Sequence, residues 1–220
     1  RRQEMHTLDE DGMATFLEAA RETPYYALFY LALYTGMRRS ELLALRWSDI
    51  DLDLAKLWVT RSFHRLRDGT GVFQAPKSAK GRRLISLPPS AAGVLREHRA
   101  AQEKVHSFMG TDPSDDDLVF AGAGGSPLLP DTVTHAWVKL ARRTGLDVRL
   151  HDARHTHATL MLKQNVRPKV VQERLGHASI ATTSDIYSHV LPGMQEEAAI
   201  GFDRAVAEAR NGRRFERHPG

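Results

Sequence analysis

The chain has 220 residues, 41% of them hydrophobic and 7% aromatic, which is enough for one substantial core and, by default, one domain. With 31 Lys and Arg against 27 Asp and Glu the formal charge is only +4, yet a sequence pI of about 9.5 leans toward an anionic partner. The absence of cysteine excludes disulfides and thiolate metal sites and fits a reducing cytoplasm, and no apolar run approaches the ~20 residues that span a bilayer. The opening residues RRQEMHTLDE lack a signal peptide's apolar segment, and with the first Met at position 5 we expect a piece cut from a longer protein.

In chain order, Thr7 followed three residues later by Glu10 predicts a capping box before an amphipathic helix. Pro24 and Gly36 bracket a second helix, and a short third runs from Ser40 through ELLALR. Between Asp49 and Leu87 the pattern shortens to runs of Val, Ile, Leu and Phe broken by RDGTG and KSAKG, which predicts a small antiparallel sheet. Helical periodicity returns at PPSAAGVLREHRAAQEKV, and a Pro-, Asp- and Gly-rich loop follows, with DLVF as a short strand within it. Helices are then expected near 131–144, 151–164, 168–175, 179–188 and 193–210, punctuated by Gly145, Pro168, Gly176 and Pro192. The class is therefore α+β and mostly helical. The glycine cluster AGAGGSP does not follow a strand and open a helix, so it is read as a loop and not as a phosphate cradle.

The chemistry concentrates in HDARHTHAT, residues 151–159. On a helix advancing about 100° per residue, His151 and His155 lie about 40° apart and resemble the histidine pair of a zinc hydrolase. The base position, however, holds Asp152, shorter than the usual glutamate, and no third ligand follows at the usual distance. His151 and Arg154, about 60° apart, make a second pair: a proton-transfer group beside a bidentate anion binder. That combination suits a phosphate. His155 reads as a packed or hydrogen-bonded structural histidine, and His157, turned about 120° from His151, is assigned no role.

Three further stretches, YTGMRRSELLALRW at 34–47, APKSAKGRRLISL at 75–87 and LGHASIATTSDIYSHV at 175–190, stand in order with HDARHTHAT. Together they resemble the catalytic domain of the tyrosine recombinases, the phage-integrase family, from Thr7 to about Val190, which implies a helical domain with a small three-stranded antiparallel sheet on one edge. The resemblance implies Arg38, Lys77, His151, Arg154, His177 and Tyr187 as catalytic residues, Glu41 as a supporting acid, and Lys80 as a rival to Lys77. Arg82 and Arg83 are read as a strand-edge charge cluster or as DNA-backbone contacts, and Arg39 as a peripheral DNA contact.

By the same resemblance, Tyr187 attacks a DNA phosphodiester to give a 3′-phosphotyrosyl link and a free 5′-hydroxyl, and strand exchange and religation follow without ATP, metal or other cofactor. A type IB topoisomerase and an inactive DNA-binding regulator are the alternatives. Implied partners are double-stranded DNA and, in the full-length protein, a homotetramer; this chain alone is expected to be monomeric. It is expected to be a single catalytic domain whose 191–220 segment adds a C-terminal helix and a basic tail, with the family's N-terminal DNA-clamping domain absent. The apolar side of that helix, Met194, Ala198, Phe202, Ala205 and Val206, packs either on its own domain or on a neighbouring subunit.

Overall fold

Burial organises the molecule around one helix. A computed structural model describes residues 6–76, 81–176, 200, 202–204 and 206–207. In it α2 (Tyr26–Thr35) is apolar on every side, and Ala27 through Leu33 are all buried. Around it pack α1 (Glu10–Ala20), α4 (Pro89–Met109) and α6 (Asp152–Lys163). Trp137 of α5 (Pro130–Arg143) closes one end, with its ring 4.2 Å from Phe16 and 5.0 Å from Phe29 and its Nε1–H donated to the Val148 carbonyl at 3.0 Å. A smaller cluster of Ala158, Leu162, Val171 and Leu175 joins α6 to α7 (Pro168–Leu175).

The helix boundaries follow the expected punctuation. Pro opens α4, α5 and α7 in the first turn, where its missing N–H costs nothing. Gly36, Gly110 and Gly176 close α2, α4 and α7 in the left-handed region. One cap differs from expectation: Asp9, not Thr7, caps α1, its Oδ1 accepting from the Gly12 N–H at 2.8 Å. The short α3 (Arg39–Leu42) follows α2 directly.

The region between α3 and α4 holds two antiparallel units. β1 (Ile50–Asp51), β2 (Lys56–Val59) and β5 (Arg83–Ser86) form the expected three-stranded sheet in the order β1-β2-β5. β3 (Ser62–Arg65) and β4 (Gly71–Gln74) pair only with each other, a hairpin inserted between the sheet's second and third strands. The expected DLVF strand contributes a single bridge, Leu118 to Arg46. Of the expected last helix, Ile200, Phe202–Arg204, Val206 and Ala207 are described and helical; Ile200, Phe202 and Val206 are exposed. The expected 179–188 helix, Met194, Ala198 and Ala205 lie outside the described residues. No described helix is long and apolar enough to cross a membrane.

Gly36 is where α2, α6 and α7 meet. Its φ is +63°, and an added Cβ would stand 2.5 Å from Leu175 Cδ2 and 3.0 Å from His157 Cδ2. Gly145 has a similar φ of +70° with nothing within 4 Å. Gly36→Ala should therefore cost about 2 kcal/mol or more, lowering the melting midpoint by about 4–8 °C. Gly145→Ala carries backbone strain alone and should cost about 1 kcal/mol. Equal losses in the two thermal melts would show that the contacts at Gly36 do not matter.

Candidate active site

Two arginines distant in sequence arrive at one groove because each begins a turn at a fixed corner of the fold. Arg38 is the N-cap of α3: its backbone N–H donates to Glu41 Oε2 and its Nη1 to Oε1, both at 2.8 Å, leaving the side chain 43% exposed. Arg154 comes from the first turn of α6 and is buried, with Nη1 donating to the Gly36 carbonyl at 2.8 Å and Nη2 to the Leu175 carbonyl at 2.6 Å. Both line a groove of about 590 Å³, together with the exposed His151. Burial first, and then the charge of Arg38, lower the Arg154 guanidinium to about 9, so it stays protonated at neutral pH.

Glu41 is the acid behind this pair. It is buried and takes a second arginine, Arg83, through two hydrogen bonds of 3.0 and 2.8 Å. Burial alone would raise its pKa, but the hydrogen bonds and charge of Arg83 and then of Arg38 outweigh that and hold the carboxyl below its usual range. Arg83 is thus a correction to its expected place at the DNA backbone. It is itself buried, spent on Glu41 and, through Nε, on the Arg174 carbonyl at 2.7 Å. The signal was in the sequence: β5 alternates, with Arg83 and Ile85 buried and Leu84 and Ser86 exposed.

Arg82, on the opposite phase, is exposed at a second cleft of about 600 Å³ between β5 and α7. Arg39 is exposed in the same groove as Arg38 and Arg154 and is held by the Pro130 carbonyl at 3.1 Å and Thr134 Oγ1 at 2.6 Å. Lys77, its rival Lys80, His177 and Tyr187 lie outside the described residues.

The three histidines of HDARHTHAT separate by depth. His151 faces the groove; His155 is half-buried, its ring edge-on to His151 at 5.3 Å and its buried Nδ1 without a partner among the described residues. The packed alternative of the expected structural role is the one that the ring contact supports. His157, assigned nothing from sequence, is buried and bridges two elements. It accepts from Arg174 Nε on Nε2 at 3.0 Å, and arginine can only donate, so Nδ1 carries the proton and donates to the Leu33 carbonyl at 3.0 Å.

Asp152, the base of the zinc reading, is buried and held by the Arg149 backbone N–H at 2.9 Å and Nε at 3.0 Å. Among the described residues no three of His, Cys, Asp and Glu converge as a metal-ligand set. His64 and Arg149 also line the groove and were not anticipated, since nothing local to either residue marks them.

The sequence matches the model of the phage integrase family over residues 6–194. The chain belongs to that family. It is 31% identical over 207 residues to a tyrosine recombinase XerC-like protein of Caldanaerobacter subterraneus subsp. tengcongensis, covering 89% of this chain and 53% of that one. It is 34% identical over 180 residues to the ICEBs1 integrase of Bacillus subtilis, covering 81% of this chain and 48% of the relative. The chain thus spans about half the length of these relatives. In fold it is similar to the crystal structure of XerA recombinase, with a TM-score of 0.69 at 24% identity over 92% of this chain and 66% of that one. A Tn1549 transposon integrase structure in complex with circular intermediate DNA gives 0.77 at 19% identity, over 93% of this chain and 67% of that one. These structures establish the fold as the recombinase catalytic fold, mostly helical with small antiparallel sheets.

The buried groups set a pH dependence. Burial first and the Arg174 charge second pull His157 down to about 3, and burial also lowers His98 and His155. A histidine whose folded pKa lies below its unfolded value contributes stability that is complete above about 6.5 and is lost as pH falls toward the folded value. Glu41, also depressed, adds a loss at lower pH still. Urea unfolding should therefore weaken below about pH 6.5, with His157 alone contributing up to about 1.4 kcal/mol per pH unit. His157→Gln should flatten that slope between about pH 6.5 and 5; an unchanged slope would contradict the assignment.

Proposed function

We propose that this chain is the catalytic domain of a tyrosine-type site-specific DNA recombinase or integrase that acts on double-stranded DNA in the cytoplasm. The observation that carries the reading is the pair Arg38 and Arg154, fixed from behind by Glu41 and by backbone carbonyls, on one groove with His151. Pre-oriented guanidinium groups suit a phosphate whose non-bridging oxygens gain charge in the transition state.

In this reading Tyr187 Oη attacks the scissile phosphorus as its proton, whose free pKa is about 10, passes to His151. Arg38 and Arg154 clamp the non-bridging oxygens and His177 donates a hydrogen bond to them. As the P–O5′ bond breaks, Lys77 protonates the departing oxygen, leaving a 3′-phosphotyrosyl link and a 5′-hydroxyl. The covalent link keeps the energy of the broken phosphodiester, so another strand's 5′-hydroxyl can reverse the step without ATP. Arginines and a lysine supply the positive charge, and the reading calls for no cofactor. Arg39 and Arg82 contact the DNA backbone, and four full-length copies assemble on DNA, while this chain alone is monomeric in solution.

The test is covalent capture. The chain is incubated with a pool of nicked duplexes of randomised sequence, with and without chelator, and protein–DNA adducts are recovered. The expected result is an adduct indifferent to chelator and absent in Tyr187→Phe. Chelator-sensitive hydrolysis without adduct would overturn the reading, and relaxation of supercoiled plasmid by the monomer would shift it to a type IB topoisomerase. Binding should also weaken at least about tenfold between about 50 and 200 mM salt, because phosphate contacts dominate the affinity. A gel-shift series that stays flat over that range would contradict this.

A further inference from the structure

Three successive carbonyls at the end of α7 each hold a different arginine. The Arg174 carbonyl takes Arg83 Nε at 2.7 Å, the Leu175 carbonyl takes Arg154 Nη2 at 2.6 Å, and the Gly176 carbonyl takes Arg38 Nη2 at 3.5 Å. A helix's last carbonyls have no partner within the helix, and they sit at its negative end. Here they form a ruler for guanidinium groups contributed by β5, α6 and the turn before α3.

A ruler is useful only if it is fixed, and the side chain of Arg174 fixes it. Its Nη1 donates to the Ser86 carbonyl at 2.9 Å, its Nη2 to the Tyr34 carbonyl at 3.1 Å and its Nε to His157 Nε2 at 3.0 Å. One residue thereby ties the end of α7 to β5, to the last turn of α2 and to α6. Arg174 touches neither Arg38 nor Arg154 through its side chain in any of these bonds, so its effect on them runs through the backbone it anchors. The next residue past the three carbonyls is His177.

We infer that Arg174 is a positioning residue, whose side chain locks the C-terminal carbonyls of α7 at the spacing that holds Arg83, Arg154 and Arg38. Its planar fork spreads donors over three nitrogens and so reaches acceptors on three separate elements, whereas a lysine's donors all radiate from one nitrogen. Displacement of a phosphate-clamping group by about 1 Å is enough to cost about 100-fold in rate. Losing the lock should therefore slow the chemical step and leave ground-state DNA binding largely intact.

The inference has two tests, and only the second rests on the recombinase reading. In the first, the guanidinium N–H signals of Arg154 are followed by NMR in the whole chain without DNA. They should be slowed and dispersed in the parent and collapse toward the free-arginine position in Arg174→Gln and Arg174→Lys. Unchanged Arg154 signals in a folded variant would overturn the inference. In the second, the duplex recovered by covalent capture is used for single-turnover cleavage, and binding is measured in a Tyr187→Phe background. Arg174→Gln should cleave about 100-fold more slowly and Arg174→Lys about tenfold, with binding within about threefold of the parent. Equal loss of binding and cleavage, or parental cleavage in Arg174→Gln, would overturn the inference. If Arg174→Gln does not fold, Arg174→Lys carries both tests. A parent chain that gives no adduct would instead sink the functional reading, and the NMR test would still decide the role of Arg174.

Discussion

Four guanidinium groups, those of Arg38, Arg83, Arg154 and Arg174, are linked through one small region, and Glu41 is the one carboxylate among the described residues that bonds any of them there. Like charges a few ångströms apart repel by about 4 kcal/mol at an effective dielectric of 20. The lowered pKa values of Arg154 and Arg174 register that repulsion on top of burial. The fold answers with Glu41, which takes two of the four, and with neutral acceptors: the carbonyls that end α2 and α7 hold Arg154, and those of Tyr34 and Ser86, with His157 Nε2, hold Arg174. Most of the architecture near the groove follows from that need. α2 must stop at Gly36 so that its carbonyl faces Arg154, and α7 must stop beside it so that the carbonyls at its end are open to Arg83, Arg154 and Arg38.

Carbonyl oxygens carry partial charges, so this solution holds the arginines in place without neutralising them. Arg83 and Glu41 form a buried pair whose removal in part would leave an uncompensated charge, a loss of about 3–5 kcal/mol. Arg154 has no carboxylate partner among the described residues, and Arg38 shares its acid with Arg83. The groove therefore keeps positive charge that no described carboxylate of its own offsets, which is the feature the proposed reading rests on. Sites of this kind are where local stability is traded for function.

Helix boundaries were legible because proline and glycine act through their own backbones: Pro89, Pro130 and Pro168 start helices, and Gly36, Gly110 and Gly176 end them, without reference to distant residues. The cap of α1 was misplaced by two residues because Thr7 and Asp9 both offer a side-chain oxygen before the same apolar stripe, and only the path of the chain chooses between them. That Arg38, Glu41 and Arg154 belong to one region was implied by the family resemblance of their short motifs, and the hydrogen bonds and the groove bring the three together. Arg83 was misread because its neighbours suggested a basic patch, although strand alternation had already placed it in phase with Ile85 and Leu87. Arg174 and His157 left no such trace. Their partners are the carbonyls of Tyr34 and Leu33, separated from them by 140 and 124 positions, and a carbonyl has no identity in a sequence.

The histidines of HDARHTHAT show how one residue type divides its work by helix phase alone. Successive positions on α6 turn from groove to core, and the environment of the imidazole changes with them. His151 is exposed at the groove. His155, half-buried beside it, has its pKa lowered by burial and by His151, and so resists sharing a second positive charge with Arg154. His157, in the core, is held neutral with its tautomer set by Arg174, and a second proton on it would repel the guanidinium that anchors α7. The placement of Arg154 near the first histidine therefore depends on the third remaining uncharged, because the end of α7 that holds Arg154 is fixed through it.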